Sequence, residues 1–277
     1  MIIKYVNSAG KTIMMNSNEL KIKQANFHDY EWKYKSINKK RGIYVNEFQK
    51  TEAKYQAKLC AYGSINRRKE IFNNFLEITE YDVERKKPGK LYYGDYYLEC
   101  FVIKSSTEPT KNYESERSII IMGPSNEWVK EKTFRFGISL SDQTLENINS
   151  DYPRDYPYDY ASNISAGEIL NESYNSEDFR MIIYGPSIDP WIKIGKNIYQ
   201  IYTEIMESEY LIIDSRDQTV IQYDRAGGQE IKFNSRNKKY KIFEKIPIGS
   251  NAVECDGGYG IDIIIYEKRS EPKWIIQ

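Results

Sequence analysis

The chain has 277 residues, 40 Lys and Arg against 40 Asp and Glu, a single His, three Cys and 40% hydrophobic residues. That length suits one large domain or two ordinary ones, each burying its own core. Zero formal net charge argues against a protein that wraps nucleic acid with a cationic surplus, and no run nears the roughly 18 apolar residues of a membrane-spanning helix.

Met1 to Asn7 lack the apolar run of a secretory signal, so export by that route is not expected. Cys60, Cys100 and Cys255 lie far apart with no C-x-x-C pair, and His28 is the only imidazole. A structural zinc site is therefore not expected, and the thiols read as buried groups in a reducing compartment. Tyrosine is abundant, at 25 residues beside 10 Phe and 4 Trp. Aromatic residues fit pleated, half-buried sheet surfaces, and Tyr adds a polar tip suited to contact surfaces.

In chain order, residues 2–6 and 12–15 flank the turn Asn7-Ser8-Ala9-Gly10, as in a hairpin. Residues 28–34 alternate polar with aromatic, which predicts a strand with one buried face that contains His28. Residues 53–62 put Tyr55, Ala57, Leu59 and Ala61 on one side and Lys54, Gln56 and Lys58 on the other. Ile71, Phe72, Phe75 and Leu76 then recur at helical spacing and predict a helix over 66–78, with Asn66 as its N-cap. Its basic first turn opposes the helix dipole and reads either as a solvated face or as a contact for an acidic neighbour. The turn dipeptides Pro88-Gly89 and Gly94-Asp95 predict a hairpin over 91–102. A polar loop or linker over 105–116 precedes a strand over 117–122, closed by Gly123-Pro124.

Residues 141–178 are rich in Ser, Asn and Asp and hold an aromatic-acidic tract over 151–160. Strands are then expected at 181–184, 191–194, 198–206, 210–214, 219–223, 240–243 and 261–266, a rhythm that suggests a sandwich or barrel. Ile119 to Ser125 echoes Met181 to Ser187, each with Gly-Pro and a following Trp (Trp128, Trp191), and reads as two strands ending in the same kind of turn.

Parts for catalysis are scarce. There is no nucleophile elbow, Walker A loop or dinucleotide fingerprint, and a Ser-His-Asp or Cys-His arrangement would have to use His28. Gly257-Gly258-Tyr259-Gly260 is not followed by a helix, as a phosphate cradle requires, and reads as a hairpin turn. Forty acids always offer a carboxylate pair, which is too unspecific to assign a glycosidase. No enzyme activity, cofactor or metal is expected. Tyr152, Tyr156, Tyr158 and Tyr160 form the candidate saccharide or partner loop, because aromatic faces stack on sugar rings while Asp and Asn bond hydroxyls. The alternative is a surface loop pinned by its tyrosines and stiffened by Pro153 and Pro157. Trp191 and Trp274 read as core or interface anchors.

Taken together, the early strands, the helix start Asn66-Arg67-Arg68 running through Phe72, Phe75 and Leu76, the segment Pro88-Gly89-Lys90-Leu91-Tyr92-Tyr93-Gly94-Asp95-Tyr96-Tyr97-Leu98-Glu99-Cys100, Pro157-Tyr158-Asp159-Tyr160, the segment from Tyr184-Gly185-Pro186 to Ile194 and Ile248-Gly249-Ser250-Asn251 resemble, in order and spacing, the distal tail protein family of long-tailed bacteriophages, the siphovirus-type tail component. The resemblance implies a mainly β protein of two domains. Residues 1–130 would form a ring-forming tail-tube-attachment domain with one helix, and residues 131–277 a galectin- or carbohydrate-module-like β-sandwich. It implies a structural role as a hexameric hub, without catalytic residues, that joins the tail tube protein to the tail-tip hub protein. A receptor-binding protein or cell-wall saccharide would be a further partner, with no membrane and no specific nucleic-acid binding. The location would be the virion tail tip, after synthesis and assembly in the bacterial host cytoplasm; contractile tails and phage-derived bacteriocins hold related proteins. The alternative function is an adsorption module that recognises cell-wall saccharide. Ring closure needs a head-to-tail contact. Arg67 and Arg68 of the helix and Leu91, Tyr92, Tyr93, Tyr96 and Tyr97 of the hairpin are the candidate subunit interface, so charge reversal at Arg67 and Arg68 is expected to weaken assembly.

Overall fold

A computed structural model describes residues 2–107, 114–137, 165–256 and 258–274. The chain divides into two compact units, Met1–Lys130 with Lys268–Gln277, and Glu131–Glu267. Residues 268–277, counted with the second domain from the sequence, thus cluster with the first unit.

The first unit contains β1 (Ile3–Val6), β2 (Thr12–Met14), β3 (Leu20–Lys23), β4 (Trp32–Lys39), β5 (Gly42–Lys50), β6 (Ala53–Tyr62), α1 (Ile65–Arg85), β7 (Gly89–Tyr93), β8 (Tyr96–Thr107), β9 (Glu114–Gly123) and the start of β10 (Trp128–Phe136). β1 pairs with β2 and β7, and β3 with β6, which pairs in turn with β9. β8 serves both groups. Its first half, to Cys100, pairs with β7, and from Phe101 on it pairs with β9, with an irregularity in that ladder between Val102 and Lys104. Inward alternation along β6 and β9 buries Tyr55, Leu59, Ile119 and Ile121 in one core with Phe75 of α1 and Trp128.

The helix obeys the stripe seen in the sequence but not its ends. Ser64, not Asn66, is the N-cap, accepting from the Arg67 backbone N–H at 3.3 Å. The helix also runs past Ile78 to Arg85, where Lys86 takes the left-handed conformation and returns its N–H to the last turn. Its charges run against the dipole, with no acid in the first turn. Asp82 near its end is fully buried and ties the helix to the first hairpin. The Tyr5 hydroxyl donates to Asp82 Oδ2 at 2.6 Å, and the Ser8 N–H to Oδ1 at 2.8 Å. Gly89 abuts this pair so closely that a Cβ there would overlap the Tyr5 hydroxyl.

The second unit holds β11 (Ser165–Asn171), β12 (Phe179–Tyr184), β13 (Ser187–Ile188), β14 (Trp191–Ile194), β15 (Asn197–Gln200), β16 (Glu204–Ile205), β17 (Tyr210–Asp214), β18 (Thr219–Tyr223), β19 (Gln229–Ile231), β20 (Gly249–Cys255) and most of β21 (Ile261–Arg269). One antiparallel run is β19-β18-β17-β12-β21 and the other β11-β20-β14-β15. Both contribute to a single core that includes Phe179, Ile183, Ile192, Tyr199, Ile213, Val253 and Ile263. The strands expected at 191–194, 210–214 and 219–223 are β14, β17 and β18.

Five local expectations need correction. His28 to Glu31 lie before β4, not within it. The 198–206 run breaks into β15 and β16, and 240–243 forms no strand although Ile242 is buried. β20 and β21 do not form the hairpin expected around 257–260, because they pair with different partners in different sheets. The two Gly-Pro turns also differ, since Gly185–Pro186 is cis and Gly123–Pro124 is not.

Two predictions concern this unit. The buried Asn171 amide donates to the carbonyls of Asn175, Ile246 and Pro247 at 3.0, 3.1 and 3.2 Å, while its oxygen accepts from Ser173. Asn171→Asp sets a carboxylate against three carbonyls and is expected to destabilise the protein by ~3 kcal/mol at neutral pH, with partial recovery in mild acid, by urea denaturation. The Tyr199 hydroxyl donates to the Glu244 carbonyl at 2.6 Å, and burial pushes its ionisation from the usual 10.0 up to about 12. The unfolded chain releases this proton first, so the stability is whole below pH 10 and falls as pH rises toward 12. Melting temperatures from pH 8 upward check this.

Candidate assembly surface

β4 and β5 form an arm that pairs with itself along its length, Trp32 opposite Lys50 at the base and Lys39 opposite Gly42 at the tip. Gly42, at φ 126°, occupies backbone space that favours glycine and lets the chain reverse after Lys40 and Arg41. The register shifts between Lys35 and Ser36. With that shift included, Trp32, Tyr34, Ile43, Val45 and Phe48 share one face, and Lys33, Lys35, Lys39, Tyr44, Glu47 and Gln49 the other. Contacts follow this division. On the apolar face the Tyr34 and Phe48 rings are 6.3 Å apart and Lys50 caps the Trp32 ring at 5.5 Å. On the polar face Lys35 pairs with Glu47 at 3.0 Å and Lys39 sits 4.1 Å from the Tyr44 ring centre. The Gln49 amide and then Lys35 hold the Glu47 carboxyl below its usual range.

The sequence predicted that this alternation buries one face; in the subunit it does not. Trp32 is 39% exposed, Tyr34 58%, Ile43 64% and Phe48 62%. A contiguous row of aromatic and branched side chains left in water marks a contact surface.

The residues expected at a subunit interface fall elsewhere. Leu91, Tyr96 and Tyr97 are buried, and Arg68 is buried with its guanidinium on Ser115 at 3.2 Å. Tyr92 and Tyr93 are half-buried, the first under Lys4 at 4.7 Å and the second against Phe27 and Trp128. Arg67 is exposed and forked onto Glu19 at 3.0 and 2.8 Å, with Glu70 at 3.2 Å. Charge reversal at Arg68 therefore threatens folding before assembly. Arg67→Ala, which removes only two exposed ion pairs, is expected to leave the melting temperature essentially unchanged in a thermal scan. Tyr152, Tyr156, Tyr158 and Tyr160 lie outside the described residues. Trp191 is half-buried, and Trp274 is exposed but stacked on His28 with ring centres 3.8 Å apart.

One cluster escaped the sequence because its members meet across paired strands. Cys60 of β6 and Glu114 and Glu116 of β9 bring their ligand atoms within 4.8 Å of one another. Lys23 lies 3.5 Å from Glu114 and Lys58 3.9 Å from Glu116, while burial pushes the Cys60 thiol up. Each carboxylate of the cluster thus already faces a lysine. No helix among the described residues is long and apolar enough to cross a membrane.

No family model matches the sequence, and no curated protein matches it significantly. Solved structures do share its fold. The crystal structure of the Dit protein of phage SPP1, described as a paradigm of the hub adsorption apparatus in Gram-positive-infecting phages, aligns with 97% of this chain and 100% of its own. Its TM-score is 0.61 at 4% identity. Structures of the phage P2 baseplate in its activated conformation, with Ca and with Sr, align with 98% of this chain and 100% and 99% of theirs. Their TM-scores are 0.64 and 0.63, both at 14% identity. At such identities the likeness is one of fold, and that fold spans nearly the whole chain.

Proposed function

We propose that this chain is a structural subunit of a bacteriophage tail tip or baseplate, a hub protein that closes into a hexameric ring between the tail tube protein and the tail-tip proteins below it. The observation that carries the reading is the near full-length likeness to phage hub and baseplate chains. Residues 1–130 act as the ring-forming, tube-facing domain, and residues 131–267 as the outer β-sandwich. Residues 268–277 belong to the inner domain. The protein resides at the virion tail tip and assembles in the host cytoplasm. Its role is architectural, with no reaction.

The exposed face of the arm supports a ring in particular. A head-to-tail contact joins two different patches, so each copy must offer a protruding element and a surface to receive it. An amphipathic ribbon with aromatic anchors suits such a junction, since aromatic residues concentrate in interface cores. Light scattering and negative-stain microscopy over a concentration series test the reading. Six-fold rings with six times the 32.7 kDa chain mass are expected, and a monomer at every concentration argues against self-assembly.

A second reading, an adsorption module for cell-wall saccharide, has one observation in its favour. Tyr184, Tyr210 and Tyr223 occupy paired positions on β12, β17 and β18, all half-buried on the side away from the sandwich core, with Tyr210 and Tyr223 stacked at 4.9 Å. Such a row can stack on sugar rings. Calorimetric binding of wall polysaccharide, lost in Tyr210→Ala and Tyr223→Ala together, would support it; no binding removes it.

A further inference from the structure

We propose that the groove between the second half of α1 and β8 is the receptor for the arm of a second copy of this chain. The proposal rests on the ring reading above and names the two patches that meet.

The groove has a volume of about 540 Å³. Leu76 and Val83 of α1 and Val102 and Ile103 of β8 give it an apolar lining; Val83 and Ile103 are exposed, and the other two half-buried. Glu80 and Glu84 line its helix wall, while its cations, Lys104 and Arg117, stand on the sheet wall. The arm supplies the complement, an apolar face around Tyr34 and Phe48 and a basic tip of Lys39, Lys40 and Arg41.

Several of the charges on both sides are not ion-paired within the chain. Among the described residues, Glu77, Glu80 and Glu84 make no ion pair, nor do Lys33, Lys40 and Arg41. Glu84 also sits in the last turn of α1, where the helix dipole disfavours an acid. In the isolated subunit that placement is a small liability, which a neighbour's cations would remove. The acids of the helix wall stand beside exposed apolar side chains, and the arm carries exposed cations beside its own apolar face, which favours a second copy over an occupant that lacks a basic tip. Arm and groove are different patches, so each copy uses one of each with its two neighbours, as a closed ring requires.

The test uses the full-length chain. Glu80→Lys with Glu84→Lys, or Lys40→Glu with Arg41→Glu, should each weaken assembly roughly tenfold or more by light scattering, since like charges then face each other. The four substitutions in one chain should restore it. All four positions are exposed, so circular dichroism should show folded variants. In a second measurement, a Phe48→Cys chain is mixed with an Ile103→Cys chain and oxidised. The native cysteines are buried, and a disulfide-linked dimer should form in the mixture alone. Assembly that ignores the groove substitutions, a four-fold variant no better than either pair, or a mixture without the linked dimer each overturns the docking site. If wild-type rings persist through that failure, the ring reading stands and the groove is withdrawn. A wild-type chain that stays monomeric overturns both.

Discussion

On the proposed ring reading, Trp32→Ser, Tyr34→Thr and Phe48→Thr combined should leave a folded monomer at concentrations where the unsubstituted chain assembles. Each aromatic anchor at an interface core contributes about 2 kcal/mol when truncated, so three weaken each contact by roughly a thousandfold or more even if their effects overlap. The melting temperature should stay within about 2 °C of wild type, because these side chains are exposed in the subunit and substitutions at such positions are usually near neutral. Thr retains strand preference at the two central positions. The polar face of the arm, with Lys35 on Glu47 and Lys39 over Tyr44, is untouched, so the ribbon keeps its own contacts. Sedimentation velocity beside thermal scans separates the two effects. Rings that survive the triple substitution would remove the arm from the junction.

The largest stability effect is expected at Asp82. Asp82→Ala strips the partner from the Tyr5 hydroxyl and the Ser8 N–H at once, and both groups lie where water does not readily replace it. The expected loss is about 3–5 kcal/mol in urea denaturation, as for removal of one side of a buried, charge-assisted network. Tyr5→Phe should cost less, because Asp82 keeps its bond to Ser8. The double variant should be less destabilised than the sum of the singles, by at least about 1 kcal/mol, since the two side chains share one hydrogen bond. Burial pushes the Tyr5 phenol far above its usual ionisation, so the bond to Asp82 persists across the neutral range. A loss below about 1 kcal/mol for Asp82→Ala would show that the helix is held to the first hairpin by packing alone.

Much of this fold was legible because period and punctuation are local. The inward face of β6, the apolar stripe of α1 and the spans of β14, β17 and β18 follow directly from side-chain alternation and turn residues. What stayed hidden depends on partners distant in sequence. Asp82 reads as one more polar helix residue until β1, 77 positions earlier, delivers Tyr5 to it. Ser64 and Asn66 both cap well, and the backbone turn at Gly63, with φ at 112°, goes with the earlier of the two. Tyr96, Tyr97 and Leu91 were candidates for a partner because they lie in the hairpin that the resemblance drew on, but all three are buried in the single chain. The arm teaches the converse. Alternation in 28–34 correctly marked an apolar face, but a sequence pattern does not say which chain covers it. The resemblance to tail proteins rested on the order of turns and strands, which is why it anticipated a fold shared at only 4% and 14% identity.

Hydrogen–deuterium exchange, compared between concentrated assembled protein and the same protein diluted to monomer, tests most directly whether the arm closes the ring. Strong protection on assembly is predicted in residues 32–50, with the core strand β6 unchanged because both its edges are already paired, with β3 and β9, in the single chain. Equal exchange of 32–50 in the two states, with protection appearing elsewhere, would contradict the account.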